Sequence, residues 1–198
     1  VQTCALPIFQ TGTTTELNLA DFFRLNGISY EALPIETNDE GKENLFAGRC
    51  DVYTTDASGL SSTRAAAADP SKWVVLPEII SKEPLGPLVR HGDHQWGDVV
   101  RWSLNAMIIA EELGITSENV DAQKSSNVPE VLRLLGVEGS YGEMLELAPD
   151  WAYQIIKQIG NYSESYEANV GPDTPLEIAR GLNALWTQGG ILYAPPFR

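Results

Sequence analysis

Between Phe9 and Lys82, short β-rich runs alternate with stretches of helical length, and this alternation constrains the fold more than any other feature of the chain. Phe9–Thr11 reads as the end of a strand. A helix is expected from Thr14 to about Asn26, opened by Thr13-Thr14-Thr15-Glu16 as a capping box in which Thr13 caps and Glu16 reaches back. Gly27 then stands where a left-handed C′ residue is wanted. Ile28–Ile35 follows as a strand, and a second capping box, Thr37-Asn38-Asp39-Glu40, opens a helix that ends at Gly48. Cys50–Thr54 reads as a strand, Ser58–Ala68 as an Ala-rich helix, and Trp73–Leu76 as a strand closed by Pro77. Such a β-α-β-α-β-α-β order predicts an α/β fold whose parallel sheet is covered by helices on both faces.

The texture changes after Pro84. Leu85–Arg90 is expected as a short strand, and Asp93 as the cap of a long helix that runs to about Leu113, before Gly114. That helix is apolar on most sides (Trp96, Val99, Val100, Trp102, Leu104, Met107, Ile108, Ile109), which predicts burial. Further helices are expected at about Ser117–Gln123, Pro129–Leu135, Trp151–Asn169 and Pro175–Gln188. There is no internal repeat or low-complexity segment. Helices so rich in apolar faces need a sheet to cover, yet this half of the chain offers almost no strands. The mismatch implies a sheet contributed from outside these residues.

Charge removes several functions. With 13 Lys and Arg against 27 Asp and Glu, the 198 residues carry a formal net charge of −14. Nucleic acid is held by clustered Lys and Arg, and anionic lipid by polybasic segments, so neither is an expected partner. The longest aliphatic run, Ala106 to Ala110, is far short of the ~20 residues that span a bilayer. Residues 1–8, VQTCALPI, carry no initiating Met, basic n-region or apolar h-region. They look like translated read-through of a widely used sequencing adapter. On that reading Cys4 is foreign, Cys50 is the native thiol, and the true chain begins further upstream; the alternative is an ordinary strand start. A Cys4–Cys50 disulfide is not assumed.

In an open parallel sheet, ligands settle outside the carboxyl ends of the strands. The first such end, Gly12-Thr13-Thr14-Thr15, runs into a helix N-terminus. If the capping box uses Thr13 Oγ1 and the Glu16 N–H, the N–H groups and hydroxyls of Thr14 and Thr15 face outward beside the positive end of the helix dipole. They would suit a small anion such as a carboxylate, with Gly12 letting the backbone approach closely. At the second end, Thr54-Thr55-Asp56, the Asp56 carboxylate suits an ammonium group. Strands one or two positions apart lie roughly 5–10 Å apart, about the span of a carboxylate and an ammonium on one carbon with a hydrogen bond at each end. The pair therefore reads as a clamp for an α-amino-acid zwitterion. The plainer alternative is that Thr13–Thr15 and Asp56 merely cap two helices. A phosphate is disfavoured, since no Lys lies near the glycine turn and neither Walker nor GxGxxG spacing is present.

Other chemistry is weaker. His91-Gly92-Asp93-His94 has HxxH spacing but lacks a further convergent ligand, so a solvated turn is the expected reading and no metal or other cofactor is assigned. No His precedes His91, which leaves Cys50 without a base. The Ser residues lack a GxSxG elbow, and Glu111-Glu112 reads as a wet helix surface.

Thr11-Gly12-Thr13-Thr14-Thr15-Glu16, Ala47-Gly48-Arg49-Cys50-Asp51 and Asp56 resemble the polar amino-acid-binding proteins of ABC importers, most closely the general L-amino-acid-binding periplasmic proteins. The likeness continues through Pro77–Pro87 (PEIISKEPLGP), Glu111–Ile115 (EELGI), Ile159-Gly160-Asn161-Tyr162 and Ala179–Trp186 (ARGLNALW), and so covers essentially Phe9 to Arg198.

The resemblance implies a periplasmic-binding-protein-like fold of type II. Residues 9–81 would form a complete parallel-sheet second lobe, 82–88 a hinge region, and 89–198 the helical C-terminal part of a first, incomplete lobe, with an insertion near 116–149. It implies that Thr14, with Thr13 and Thr15 beside it, donates to the ligand carboxylate and that Asp56 accepts from the α-ammonium. Asp51 matches a family position as well, in a structural role. The family's N-terminal segment, with its Arg clamp and aromatic walls, has no counterpart here, so the chain would carry only part of the site and leave apolar helix faces exposed to aggregation.

The function implied is a monomeric, periplasmic solute-binding component that hands an L-amino acid to a membrane permease, with no insertion into the membrane and no catalysis. Two alternatives remain. One is an enzyme on the same fold, such as a dehydratase of amino-acid-like carboxylates. The other is the ligand-sensing domain of a receptor.

Overall fold

The computed structural model describes residues 6–82 and 84–197, and the chain divides into two compact units, Val1–Leu85 and Gly86–Arg198. In the first unit β1 (Pro7–Gln10), α1 (Thr14–Leu25), β2 (Leu33–Ile35), α2 (Asn38–Phe46), β3 (Val52–Tyr53) and α3 (Ala57–Ala65) follow one another as expected. The three strands form a parallel sheet in the order β2-β1-β3. Ile8 stands opposite Leu33 on one side and Tyr53 on the other. A parallel strand covered on both faces should be apolar throughout, and β1 is so up to its last residue, Gln10: Ile8 is 0% and Phe9 4% exposed. Burying such a side chain contributes about 1.5–3 kcal/mol. The core around Ile8 is completed by Ile35, Leu45, Cys50 and Tyr53. Gly41 of α2 lies flat on it, since a Cβ there would come within 2.8 Å of Ile35 Cδ1.

Pro7 and Ile8, within the octapeptide that resembles adapter read-through, pair with Val52 and Tyr53. Cys4 lies outside the described residues. Cys50 is a buried free thiol whose pKa is pushed up by burial and, secondarily, by the Asp51 charge.

Several expectations need correction. Ile28–Ile35 is not one strand. The Ile28 N–H closes the end of α1 on the Phe23 carbonyl at 2.9 Å and the Tyr30 ring packs on Phe23, so a lone bridge residue at Tyr30 is followed by a strand of only Leu33–Ile35. Trp73–Leu76 forms no strand. Its Trp73 ring packs on Phe46 at 5.2 Å while Val74 and Leu76 stay exposed, with no ladder to join. A 3₁₀ turn, Pro70–Lys72, precedes it. Thr13 makes no side-chain cap on α1; its hydroxyl donates to the Gln10 carbonyl at 2.7 Å, and Glu16 Oε2 accepts from Gly12 N–H at 2.9 Å. The second box forms in part. Thr37 Oγ1 accepts from Glu40 N–H, while the Glu40 carboxylate reaches Glu36 N–H, one residue before the cap.

The second unit is helical: α4 (His94–Glu112), α5 (Val120–Gln123), α6 (Pro129–Leu134), α7 (Tyr141–Met144), α8 (Trp151–Ile159) and α9 (Tyr162–Asn169). Leu85–Arg90 forms no strand. Asp93 caps α4 as expected, accepting from Trp96 N–H at 3.1 Å. That helix is not buried along its length, however. Ala106, Ile108, Ile109 and Ala110 enter the core, whereas Trp96 remains 56% exposed. The expected helix Trp151–Asn169 breaks at Gly160, whose φ of 95° ends α8. Asn161 and Glu164 then form a reciprocal capping box that opens α9. Pro175–Gln188 is not a helix but two 3₁₀ turns, Gly181–Asn183 and Trp186–Gln188, beside an isolated bridge from Leu185 to Leu192.

Of the Glu111-Glu112 pair, Glu112 is exposed as expected, whereas Glu111 is drawn into an ion pair out of the solvent. Arg180 Nη2 lies 3.0 Å from both Glu111 carboxylate oxygens, and Trp186 Nε1 donates to Glu112 at 3.1 Å. The Arg180 guanidinium also stacks over the rings of Tyr162 and Tyr166. At the far end of the chain Phe197 packs among Trp102, Tyr141 and Trp151.

Candidate functional site

Because β1 and β3 are direct neighbours, the loops that leave their carboxyl ends emerge side by side. Ladder bonds continue past each strand: Thr54 N–H donates to the Ile8 carbonyl at 3.1 Å, and Thr11 N–H to the Ile35 carbonyl at 2.9 Å. Between the loops lies a cleft of about 260 Å³, lined by residues that include Gln10, Thr13, Thr14, Thr15, Thr55 and Asp56. The sequence-derived residues Thr13–Thr15 and Asp56 thus meet on one cleft. Gly12 does not line it. Its φ of +70°, with open space around a would-be Cβ, lets it turn the chain from β1 into α1.

Asp56 does two things at once. It caps α3: Oδ2 accepts from Ser58 Oγ at 2.6 Å and from Gly59 N–H at 3.1 Å, while Oδ1 accepts from Thr55 Oγ1 at 3.2 Å. The Ser58 hydrogen bond, helped by those from Gly59 and Thr55, holds its carboxyl below the ordinary aspartate range against the opposing effect of burial. Ser58, Gly59, Thr55 and the residue's own backbone N–H all donate to it, and together they fix the orientation of the carboxylate. The helix-capping alternative is therefore fulfilled.

Sequence reasoning missed Gln10, Asn38, Thr54 and Thr55 on the same cleft. Gln10 is the last residue of β1 and Asn38 the first of α2; the strand register β2-β1-β3, which the sequence does not spell out, brings them to the same edge. Gln10 Nε2 donates to the Glu36 carbonyl at 2.9 Å, and the Tyr53 hydroxyl donates to Asn38 Oδ1 at 2.9 Å. Thr54 and Thr55 were legible as the approach to Asp56, though not as lining. Among the described residues, no basic side chain lines the cleft.

Elsewhere, His91 and His94 are both exposed, and no group of three or more His, Cys, Asp or Glu is placed to hold a metal ion among the described residues. No described helix is long and apolar enough to cross a membrane.

The glutamate/glutamine/aspartate/asparagine-binding protein BztA of Rhodobacter capsulatus is 56% identical over 190 residues, 96% of this chain and 56% of its own length. The general L-amino acid-binding periplasmic protein AapJ of Rhizobium johnstonii is 55% identical, and the putative amino-acid ABC transporter-binding protein YhdW of Escherichia coli K12 is 53% identical, each over 191 residues. The chain is homologous to the amino-acid-binding proteins of ABC transporters. It spans 56% of the length of each of these relatives. A solved structure, the ABC transporter / periplasmic binding protein from Brucella ovis with glutathione bound, matches it with a TM-score of 0.94 at 50% identity, over all of this chain and 62% of the other. The fold is thus the expected periplasmic-binding-protein-like one. No family profile matches the chain.

Proposed function

We propose that the cleft at the carboxyl ends of β1 and β3 holds the two charges of an L-amino acid, as part of the solute-binding component of an ABC importer. In this reading the α1 N-terminus, with Thr13, Thr14 and Thr15 around it, takes the α-carboxylate, and Asp56 takes the α-ammonium. The observation that carries it is the adjacency of β1 and β3, with Thr14 and Asp56 on one cleft. Gly12 shapes the turn between β1 and α1 without touching the ligand. Residues 82–88 act as a hinge, and residues outside this chain supply the opposite wall. The component works as a monomer in the periplasm and delivers its ligand to a membrane permease.

Two further facts support this reading. The relatives are named for amino-acid binding. The Brucella ovis protein has glutathione bound, and the γ-glutamyl end of glutathione carries an amino group and a carboxylate on one carbon, the same zwitterion. A general-acid role for Asp56 is disfavoured, because a general acid needs a raised pKa and this carboxyl is held low.

Calorimetry on the full-length protein tests the reading. Asp56→Ala should abolish amino-acid binding, and Thr14→Val should weaken it by ~1–3 kcal/mol. Undiminished affinity in either variant removes that residue from the site.

A further inference from the structure

Among the described residues that line the cleft, Asp56 alone carries a charge, and it is held from α3. Oδ2 accepts twice, from the Gly59 N–H at 3.1 Å and from the Ser58 hydroxyl at 2.6 Å. The two bonds do different things. The Gly59 bond is the helix cap itself and satisfies a backbone donor that α3 would otherwise leave orphaned. The Ser58 bond satisfies no backbone group, so α3 can begin without it. At 2.6 Å it has the length of a charge-assisted O–H···O⁻ bond, roughly twice as strong as a neutral one. Ser58 is exposed and does not line the cleft, so its route to a ligand there runs through Asp56.

The same local turn recurs at Asp69, where Oδ1 accepts from the Ser71 hydroxyl at 2.6 Å and from the Ser71 N–H at 3.2 Å. Asp69 lines no part of the cleft. An aspartate gripped by the serine two residues on is thus a device of the chain at large, and at Asp56 it ends on the cleft.

We propose that Ser58 is a positioning residue of the amino-acid site: from outside the cleft, its hydroxyl fixes the Asp56 carboxylate for the ligand's α-ammonium. The proposal rests on the amino-acid reading of the cleft. Without the Ser58 bond the carboxylate gains freedom that must be given up again when an ammonium binds. A donor to the ionised form also favours that form, and the Ser58 bond is the largest influence holding the Asp56 carboxyl below its ordinary range. The titratable neighbours bring no cation to it. Tyr53 of β3 has its own pKa raised by burial and by the Asp56 and Asp39 charges, Asp39 of α2 is a like charge, and Glu16 of α1 is turned to the Gly12 N–H. Arg64, the charged side chain of α3 itself, stands about 12 Å further along the helix.

The test is a calorimetric titration of the full-length protein with glutamine and with alanine, from neutral to acid pH. The variants are Ser58→Ala, Ser58→Thr, Ser71→Ala and Asp56→Ala, with folding checked by circular dichroism. Ser58→Ala should stay folded on its Gly59 cap and weaken both ligands alike by about tenfold, the scale of one hydrogen bond to a charged group. As pH falls, its affinity should start to drop at a higher pH than the parent's. Ser58→Thr, which keeps the hydroxyl, should restore both the affinity and the acid limb, and Ser71→Ala should match the parent. Parent-like affinity and acid limb in Ser58→Ala, with binding lost in Asp56→Ala, overturns the role of Ser58 and leaves the ammonium site standing. A loss that Ser58→Thr does not recover, or that Ser71→Ala shares, marks a general structural effect and overturns it as well. Undiminished binding in Asp56→Ala fails the amino-acid reading and the Ser58 role together.

Discussion

Thr54 N–H donates to the Ile8 carbonyl at 3.1 Å, and through that bond the segment leading to Asp56 is anchored to the strand leading to Thr14. Sheet register, more than any side chain, decides that the two loops share a cleft. Were β2 rather than β1 the neighbour of β3, the two loops would stand two strand spacings apart, about 10 Å instead of 5 Å.

The Asp56 carboxylate gives the site a pH dependence. Its folded-state pKa lies below the ordinary aspartate value of 3.8, so protonation opposes folding and, on the proposed reading, would oppose ligand capture. The stability it contributes is present above that value and is lost as pH falls through the lower folded pKa. Calorimetric affinity should be flat from pH 5 to 8, on the order of the window in which aspartate is ionised, and fall in strong acid. In Asp56→Asn the acid limb due to this group should vanish from the unfolding profile followed by circular dichroism; an unchanged limb assigns it to another carboxyl.

Gly41 sits in α2 where helix propensity and packing disagree. Ala in a helix interior gains about 0.5–1 kcal/mol over Gly. Here a Cβ would meet Ile35 Cδ1 at 2.8 Å and Tyr53 Cε2 at 3.1 Å, both in the core. Overpacking of that kind costs about 1–3 kcal/mol, so packing wins. Gly41→Val, larger still, should lower the denaturation midpoint, and a raised midpoint in Gly41→Ala would contradict the tight contact.

Asn161 is 4% exposed and works in two directions: Nδ2 donates to the Ile115 carbonyl at 2.8 Å, and Oδ1 accepts from Glu164 N–H at 2.9 Å. Asn161→Ala removes a cap worth ~1 kcal/mol and leaves a buried carbonyl unpaired at ~1–3 kcal/mol. Chemical denaturation should register a loss of about 2–4 kcal/mol, with a loss under about 0.5 kcal/mol excluding the cap as a stabilising element.

What the sequence disclosed follows from how local its signals are. The succession β1-α1-β2-α2-β3-α3 was legible because caps such as Thr37 and Asp56, and the glycines after α1 and α2, Gly27 and Gly48, act within a few residues. The Trp73–Leu76 run has strand-like residues, but a strand exists only where a neighbour pairs with it. Pro175–Gln188 has apolar spacing that suits a helix, yet Arg180 is drawn to Glu111, 69 positions earlier, and no local pattern announces that. The break at Gly160 could have been read, since Asn161-Tyr162-Ser163-Glu164 is itself a capping-box sequence. At the cleft, Thr13–Thr15 and Asp56 stood out as strand-end chemistry. Gln10 and Asn38 did not, because their approach depends on register, and the hydroxyl of Thr13 turned toward Gln10 instead of capping α1.

The clamp is tested most directly by removing each charge from the ligand in turn. Titration of the full-length protein with glutamine, N-acetylglutamine and glutamine methyl ester separates the ammonium from the carboxylate. Glutamine alone should give measurable heat of binding, and both capped forms should lose at least about a hundredfold in affinity, the scale of one charged hydrogen bond left unmade in a closed site. N-acetylglutamine binding as tightly as glutamine would contradict an ammonium held by Asp56.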